Sequence, residues 1–257
     1  MRRLGRMNGA LALTLLASFP DASAQGLEGI LVERYHEMPV HAPGAPPLVT
    51  YRIFLDLAPG HSLLTVFGEK DRNLYFRTTT RFFNDTVHGG AAGERIPADR
   101  LRQFPLALDS WLAFGFATSG HKAVPLHLDT DGSLLGAPDA PDEAGGYHPR
   151  LRSRDGLMPA RIVPEVMKLD LATSFLERLS GDLIETSVGA YGVMGSVIGA
   201  TKENMVLIGQ FTTDGELSYA VNAAVRAPDG RIVKHLAYAA AASDEIEVPA
   251  LRSGRPF

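Results

Sequence analysis

The chain has 257 residues, 45% hydrophobic, 21% charged and 8% aromatic, with a formal charge of −4 at pH 7. This balance is that of a globular protein and excludes a disordered tail, a collagen-like repeat, a coiled coil or a multi-span membrane chain. The chain holds no cysteine, which excludes disulfides, thiolate catalysis, zinc ribbons and iron–sulfur clusters, and its mild acidity gives no reason to expect nucleic acid as a partner.

Residues 1–24 read as an export signal. Arg2, Arg3 and Arg6 form a basic start, Gly9 to Phe19 an apolar run, and Ala22-Ser23-Ala24 a small-residue cleavage site ahead of Gln25. The run is shorter than the roughly 20 residues a membrane-crossing helix needs, and Pro20 and Asp21 end it. No integral span is expected after its removal. Leu4-Gly5-Arg6 does not complete a twin-arginine pattern, and no cysteine stands at the cleavage point to take a lipid. The expectation is an exported protein, secreted or periplasmic or held at the cell surface. Cleavage removes three Arg and one Asp, leaving a formal charge of −6.

From residue 25 onward the apolar stretches are short, rich in β-branched and aromatic residues, and separated by turn residues. Ile30 to Glu37 is the first strand, and His41 to Pro47 a proline-rich loop. Val49 to Leu57 alternates most cleanly, with Val49, Tyr51, Ile53, Leu55 and Leu57 on one face and Thr50, Arg52 and Asp56 on the other. Ser62 to Phe67 and Leu74 to Thr80 follow at the spacing of a meander. Ser110 to Ala117, Met205 to Thr212, Glu216 to Val225 and Arg231 to Tyr238 repeat the pattern. Asp131-Gly132, Asp214-Gly215 and Asp229-Gly230 carry the turn chemistry of tight hairpins, and the last two predict one three-stranded meander from Met205 to Tyr238. Helical patterning is confined to Ala98–Phe104 and Thr173–Ser180. Gly132 to Arg161 reads as one long inserted loop. The predicted fold is all-β: an antiparallel β-sandwich spanning residues 25–257 as a single domain, with that loop at about 132–161 and one or two short helices.

The spacings that would signal catalysis are not matched. His36 and His41 are separated by an odd interval and a proline-rich turn. His121 and His127 share a strand face only if Pro125 leaves the strand straight. Gly195-Ser196-Val197-Ile198-Gly199 sets its serine one position too early for a nucleophile elbow. Gly189, Gly192, Gly195 and Gly199 fit no phosphate-binding loop and mark bulges or close sheet packing instead. Calcium is the one cofactor the acidic turns would suit: Asp129 and Asp131 begin like an EF-hand loop, although Gly132 comes two residues early. Asp139, Asp142 and Glu143 add oxygens in the long loop. Trp111, the only tryptophan, is a candidate glycan contact with Phe114 or Phe116, against the commoner role of a core anchor. The loop Phe82 to Gly93 joins aromatic residues to Asn84, Asp85 and His88 and is the first candidate ligand site.

Several phrases occur in a fixed order: Thr50-Tyr51-Arg52, Val66-Phe67-Gly68, Thr78-Thr79-Thr80 with Phe82-Phe83-Asn84, Asp109-Ser110-Trp111-Leu112, and Gln210-Phe211-Thr212-Thr213-Asp214-Gly215-Glu216-Leu217-Ser218 with Asn222. From Val49 to Val225 the chain thereby resembles a group of exported bacterial proteins, many multidomain and surface-associated, built of β-rich modules. The resemblance implies no catalytic residue. The expectation is a single module, set apart from that group by lacking the carboxy-terminal sorting segment such proteins often carry. The leading expectation is an exported, non-catalytic binding or surface-interaction module, its partner a glycan or a surface protein. The competing expectation is a hydrolase acting on polysaccharide or ester substrates.

Overall fold

The computed structural model describes residues 26–38, 47–97, 106–128, 156–171 and 181–254. The signal segment, His41, the two helical stretches, Asp129, Asp131 and residues 132–155 of the expected loop lie outside them. Within them the chain forms β1 (Leu27–Met38), β2 (Leu48–Leu57), β3 (Ser62–Phe67), β4 (Leu74–Thr78), β5 (Trp111–Leu112), β6 (Phe116–Thr118), β7 (His121–Ala123) and β8 (Leu157–Pro159). There follow β9 (Val166–Leu169), β10 (Leu183–Thr186), β11 (Ala190–Val197), β12 (Met205–Thr213), β13 (Leu217–Ala220), β14 (Asn222–Arg226), β15 (Ile232–Leu236) and β16 (Glu245–Glu247). Helical structure among the described residues is limited to three-residue 3₁₀ turns, so no helix there is long and apolar enough to cross a membrane.

The fold is all-β and sandwich-like. One sheet runs β1-β2-β12-β5, a second β10-β4-β13, and a third β16-β15-β14-β3-β11-β9; a small sheet β6-β7-β8 stands apart. Pairing is antiparallel except between β15 and β16. The second and third sheets are continuous along the chain, because β3 leads into β4 and only Val221 separates β13 from β14. Their inward side chains (Leu63, Val66, Phe76, Tyr191, Leu217, Val225) meet those of the first sheet (Tyr51, Ile53, Leu55, Val206, Phe211) in one buried cluster. Phe76 stacks on Phe211 at 4.6 Å between ring centroids, and Phe82 closes on the same ring at 5.3 Å. Each such buried ring contributes about 1.5–3 kcal/mol relative to exposure.

The alternation of β2 places Tyr51, Ile53, Leu55 and Leu57 in this core as expected. Its opposite face is not solvent: Thr50 and Arg52 are fully buried too. Chain from residues 83–97 and 106–126 covers that face, and a second cluster forms there from Tyr35, Phe54, Ile96, Leu106, Leu108, Trp111 and Leu207. Polar residues under this cover bond to one another. Thr212 Oγ1 donates to Thr50 Oγ1 at 2.8 Å, Arg52 Nε to Gln210 Oε1 at 3.0 Å, and Arg52 lies 3.6 Å from the Tyr35 ring centroid.

Three expectations about strands are corrected. Ser110–Ala117 is not one strand: the chain turns at Gly115, whose φ is +82°, so β5 and β6 join different sheets. Glu216–Val225 breaks at Val221 into β13 and β14, which also join different sheets. The predicted three-stranded meander is therefore absent. Asp229-Gly230 does turn the β14–β15 hairpin, with Gly230 at φ +88°. Asp214-Gly215 instead makes the corner where β12 leaves the first sheet and β13 enters the second. The threonines of Thr78-Thr79-Thr80 fasten that corner: Thr80 Oγ1 donates to Asp214 Oδ1 at 2.7 Å, Glu216 N donates to Thr79 Oγ1 at 2.9 Å, and Thr78 Oγ1 bonds Thr213 Oγ1 at 2.7 Å. Strands β9, β10 and β11 arise where the sequence showed weak alternation, and β8 falls at the end of the stretch expected as loop.

Candidate functional site

The loop Phe82–Gly93 is built around two carboxylates. Asp85 Oδ1 accepts the N–H groups of Val87 and His88, each at 3.0 Å, which closes a local turn. Asp109 accepts Asp85 N at 2.7 Å on one oxygen and Gly90 N at 3.1 Å on the other. Gly89 lies so close over Asp109 and the Asp85 carbonyl that a Cβ there would strike both. Burial pushes the Asp109 carboxyl up to about 8, against the pull of its N–H donors, and the neighbouring Asp85 adds to the rise. Asp85 is buried, Asn84 half-buried, and His88 exposed with Nδ1 3.8 Å from Asp85 Oδ2. Of the expected site residues, His88 and Asp85 lie side by side, and Asp85 spends its Oδ1 on holding the loop rather than on an outward surface.

Trp111 is fully buried in the second cluster, with Gly93 packed on its indole nitrogen, and presents no ring face to a glycan. Phe114 and Phe116 are buried likewise. Asp129 and Asp131 lie outside the described residues; among those described, no three His, Asp or Glu side chains gather as a metal site. Glu33, Asp56 and Glu94 are also raised chiefly by burial. Glu33 pairs across β1–β2 with Arg52 and accepts Leu126 N at 2.8 Å, and Glu94 accepts Val166 N at 3.2 Å. Both are interior struts.

A concave site lies elsewhere, at the end of the second sheet. Tyr75 on β4 and Glu185 on β10 are direct cross-strand partners, so their side chains share the outward face. Beside them the β3–β4 turn brings Lys70, Asp71 and Asn73, and the chain leaving β15 brings Tyr238. Together with Ser187 and Val188 these residues line a cleft of about 630 Å³, within the range of small-molecule sites.

The walls are fixed by bonds from each side. Asn222, fully buried, donates from Nδ2 to the carbonyls of Phe67 at 3.1 Å and Arg72 at 2.9 Å, and accepts Ala237 N at 3.1 Å on Oδ1. One side chain therefore pins the residues immediately before Asn73 and Tyr238. Tyr238 Oη then donates to the Asn73 carbonyl at 2.9 Å, and Asn73 Nδ2 to Glu185 Oε1 at 2.9 Å. Outside, Arg72 Nη1 bridges Glu69 at 2.8 Å and Glu245 at 3.0 Å, tying the turn to β16. Glu245 is held below the usual carboxylate range, first by the N–H of Ala241 and then by burial-opposed bonding to Arg72 and Ala242. Asp71 adopts φ +65°, a left-handed conformation that a short polar side chain tolerates. Burial above all raises the Tyr238 phenol, which keeps it a donor at neutral pH, while Arg252 sits 5.5 Å from its ring centroid.

Sequence reasoning did not find this cleft. Its one local signal is Glu69-Lys70-Asp71-Arg72-Asn73, five consecutive polar residues between strands, which reads equally as a solvated turn. Its other wall comes from 165 residues further along the chain. Chemically the cleft offers one ammonium, two carboxylates, amide and hydroxyl groups and two phenol rings; its described lining includes Ser187 but no histidine. Against protein-family models, curated proteins and solved structures alike, the chain gives no significant match.

Proposed function

We propose that this chain is an exported, non-catalytic binding module whose ligand enters the cleft between Tyr75, Glu185 and Tyr238. One observation carries the reading. The cleft walls are locked from within by the three bonds of Asn222 and from without by the Arg72–Glu245 bridge, so the polar groups are preorganised before a ligand arrives. The basic and apolar leading segment supports export, and the resemblance to surface-associated β-rich modules supports an interaction role. Asp109, Glu94 and Glu33, carboxyls raised by burial, hold backbone N–H groups and do not line the cleft.

The second reading, a polysaccharide hydrolase, rests on Asp71 and Glu185 lining one cleft, since glycoside hydrolysis uses a pair of carboxylates. A single experiment separates the two. The purified protein is incubated with arrayed glycans, peptides and lipid vesicles, and both retention and product release are read for the wild type, Tyr238→Ala and Glu185→Gln. Retention lost in Tyr238→Ala without product release supports the binding module. Product release that disappears in Glu185→Gln would establish the hydrolase instead.

A further inference from the structure

Building on the binding-module reading, we infer that the cleft at Tyr75 and Tyr238 takes a neutral carbohydrate. The lining selects against other ligand classes by elementary chemistry. An acyl chain would desolvate the heads of Lys70 and Asp71 and the Glu185 oxygen that Asn73 does not hold, and Val188 is the only aliphatic residue among the described lining. A polyanion would meet two carboxylates against one lysine. A proline-rich peptide suits aromatic grooves but brings few N–H donors for the carboxylate of Asp71 and the remaining oxygen of Glu185.

A sugar satisfies all of these groups together. Each hydroxyl both donates and accepts, so it meets carboxylate, ammonium, amide and hydroxyl alike. The C–H face of a pyranose lies against a phenol ring as an apolar surface. The two rings come from different walls, Tyr75 from β4 and Tyr238 from the chain after β15, so a ligand spanning the cleft touches both. Asn73 Nδ2 already holds Glu185 Oε1 at 2.9 Å, which orients that carboxylate. Asp71, which lines the cleft, adopts a left-handed backbone, φ +65°.

The test uses the full chain without its leader. Cello-, xylo-, manno- and chito-oligosaccharides are titrated in turn, beside a polygalacturonate fragment, a proline-rich peptide and a lysine-rich peptide. Saturation transfer is read on the ligand, and aromatic carbon–proton correlations of the tyrosines on the protein. Trp111 is buried, so its fluorescence is not used. At least one neutral oligosaccharide is expected to receive transfer on its ring C–H protons and to shift Tyr75 and Tyr238. Tyr238→Ala is expected to weaken it roughly tenfold or more. Tyr238→Phe keeps the ring and drops only the bond to Asn73, and it should retain most of the affinity; unchanged main-chain spectra show that each variant is folded. A parallel arm with insoluble polysaccharide distinguishes a polymer surface from free sugar as the source.

If a peptide or the acidic fragment moves the two tyrosines and no neutral sugar does, the carbohydrate inference falls while the binding-module reading stands. If a sugar binds but shifts other residues and ignores Tyr238→Ala, the cleft is not its site and the inference is overturned. If no probe of any class perturbs the cleft, both readings are overturned.

Discussion

Replacing Asn222 tests how the cleft is held. Its side chain is fully buried and makes three bonds: to the Phe67 and Arg72 carbonyls and from the Ala237 N–H. Asn222→Ala removes all three and takes that partner from the Phe67 carbonyl and the Ala237 N–H, while the Arg72 carbonyl keeps the Glu69 N–H at 3.2 Å. A buried polar group left without its partner costs about 1–3 kcal/mol. Two such groups, partly relieved by rearrangement and water entry, give an expected loss of about 2–4 kcal/mol, a large share of a domain's total stability. Asn222→Asp sharpens the test. It preserves the acceptor for Ala237 N but sets a carboxylate oxygen against two carbonyls, so the folded state disfavours ionisation. Stability should then be lowest at neutral pH and recover as pH falls and the carboxyl takes a proton that one carbonyl can accept. Urea melts across pH 4–8 read both variants, with tyrosine spectra reporting the cleft. A loss below about 1 kcal/mol in Asn222→Ala, or a flat pH profile in Asn222→Asp, would refute the assigned role.

Asp109, pushed up to about 8 by burial, keeps in the folded state a proton that the unfolded chain releases near pH 4. Its stabilising contribution is therefore greatest below that lower value and is lost between about pH 4 and 8, at a slope of up to ~1.4 kcal/mol per unit; urea midpoints should follow it, and Asp109→Asn should flatten the slope. Gly215→Ala would bring a methyl against the Oγ1 atoms of Thr80, Thr78 and Thr79 at 2.5, 2.7 and 2.8 Å, and the overpacking should cost about 1–3 kcal/mol in the same assay. Asp71→Gly removes a left-handed non-glycine residue at φ +65° and should leave stability within about 1 kcal/mol while weakening ligand retention.

Much of the strand pattern was legible because alternation reports one covered face. β2 shows where that signal stops. Thr50 and Arg52 look like a solvent face, yet they are buried beneath irregular chain that carries no period of its own. What makes the burial tolerable, Gln210 for Arg52 and Thr212 for Thr50, stands some 160 residues away in the sequence. The breaks at Gly115 and Val221 were invisible for a related reason. An apolar run looks the same whether it stays in one sheet or passes between two that share a core. The site loop gives a third case. Asn84, Asp85 and His88 are a polar cluster in a loop, and the sequence does not say whether such groups face a ligand or their own backbone. Asp109, which accepts the Asp85 N–H, stands 24 residues further along the chain.

The cleft follows from the same sheet-switching that defeats the meander reading. Had β12, β13, β14 and β15 formed one continuous meander, Tyr75 and Tyr238 would have had no reason to meet. Because the chain breaks at Val221, β13 pairs with β4 and β14 with β3, and the two sheets diverge at the level of Asn222. At that divergence Asn222 collects the carbonyl of Phe67 and the N–H of Ala237, and it adds a second bond to the Arg72 carbonyl, which the Glu69 N–H already meets. Unmet buried backbone groups are rarely tolerated, so the gap between diverging sheets demands a side chain with both donor and acceptor. Once asparagine fills that need, the turn carrying Asn73 and the segment carrying Tyr238 are held at a set separation, and the hollow between them is a structural consequence. The folding requirement and the binding surface are thus one feature, which is why a substitution at Asn222 should disturb stability and ligand retention together, whereas Tyr238→Ala should disturb retention with little effect on the core.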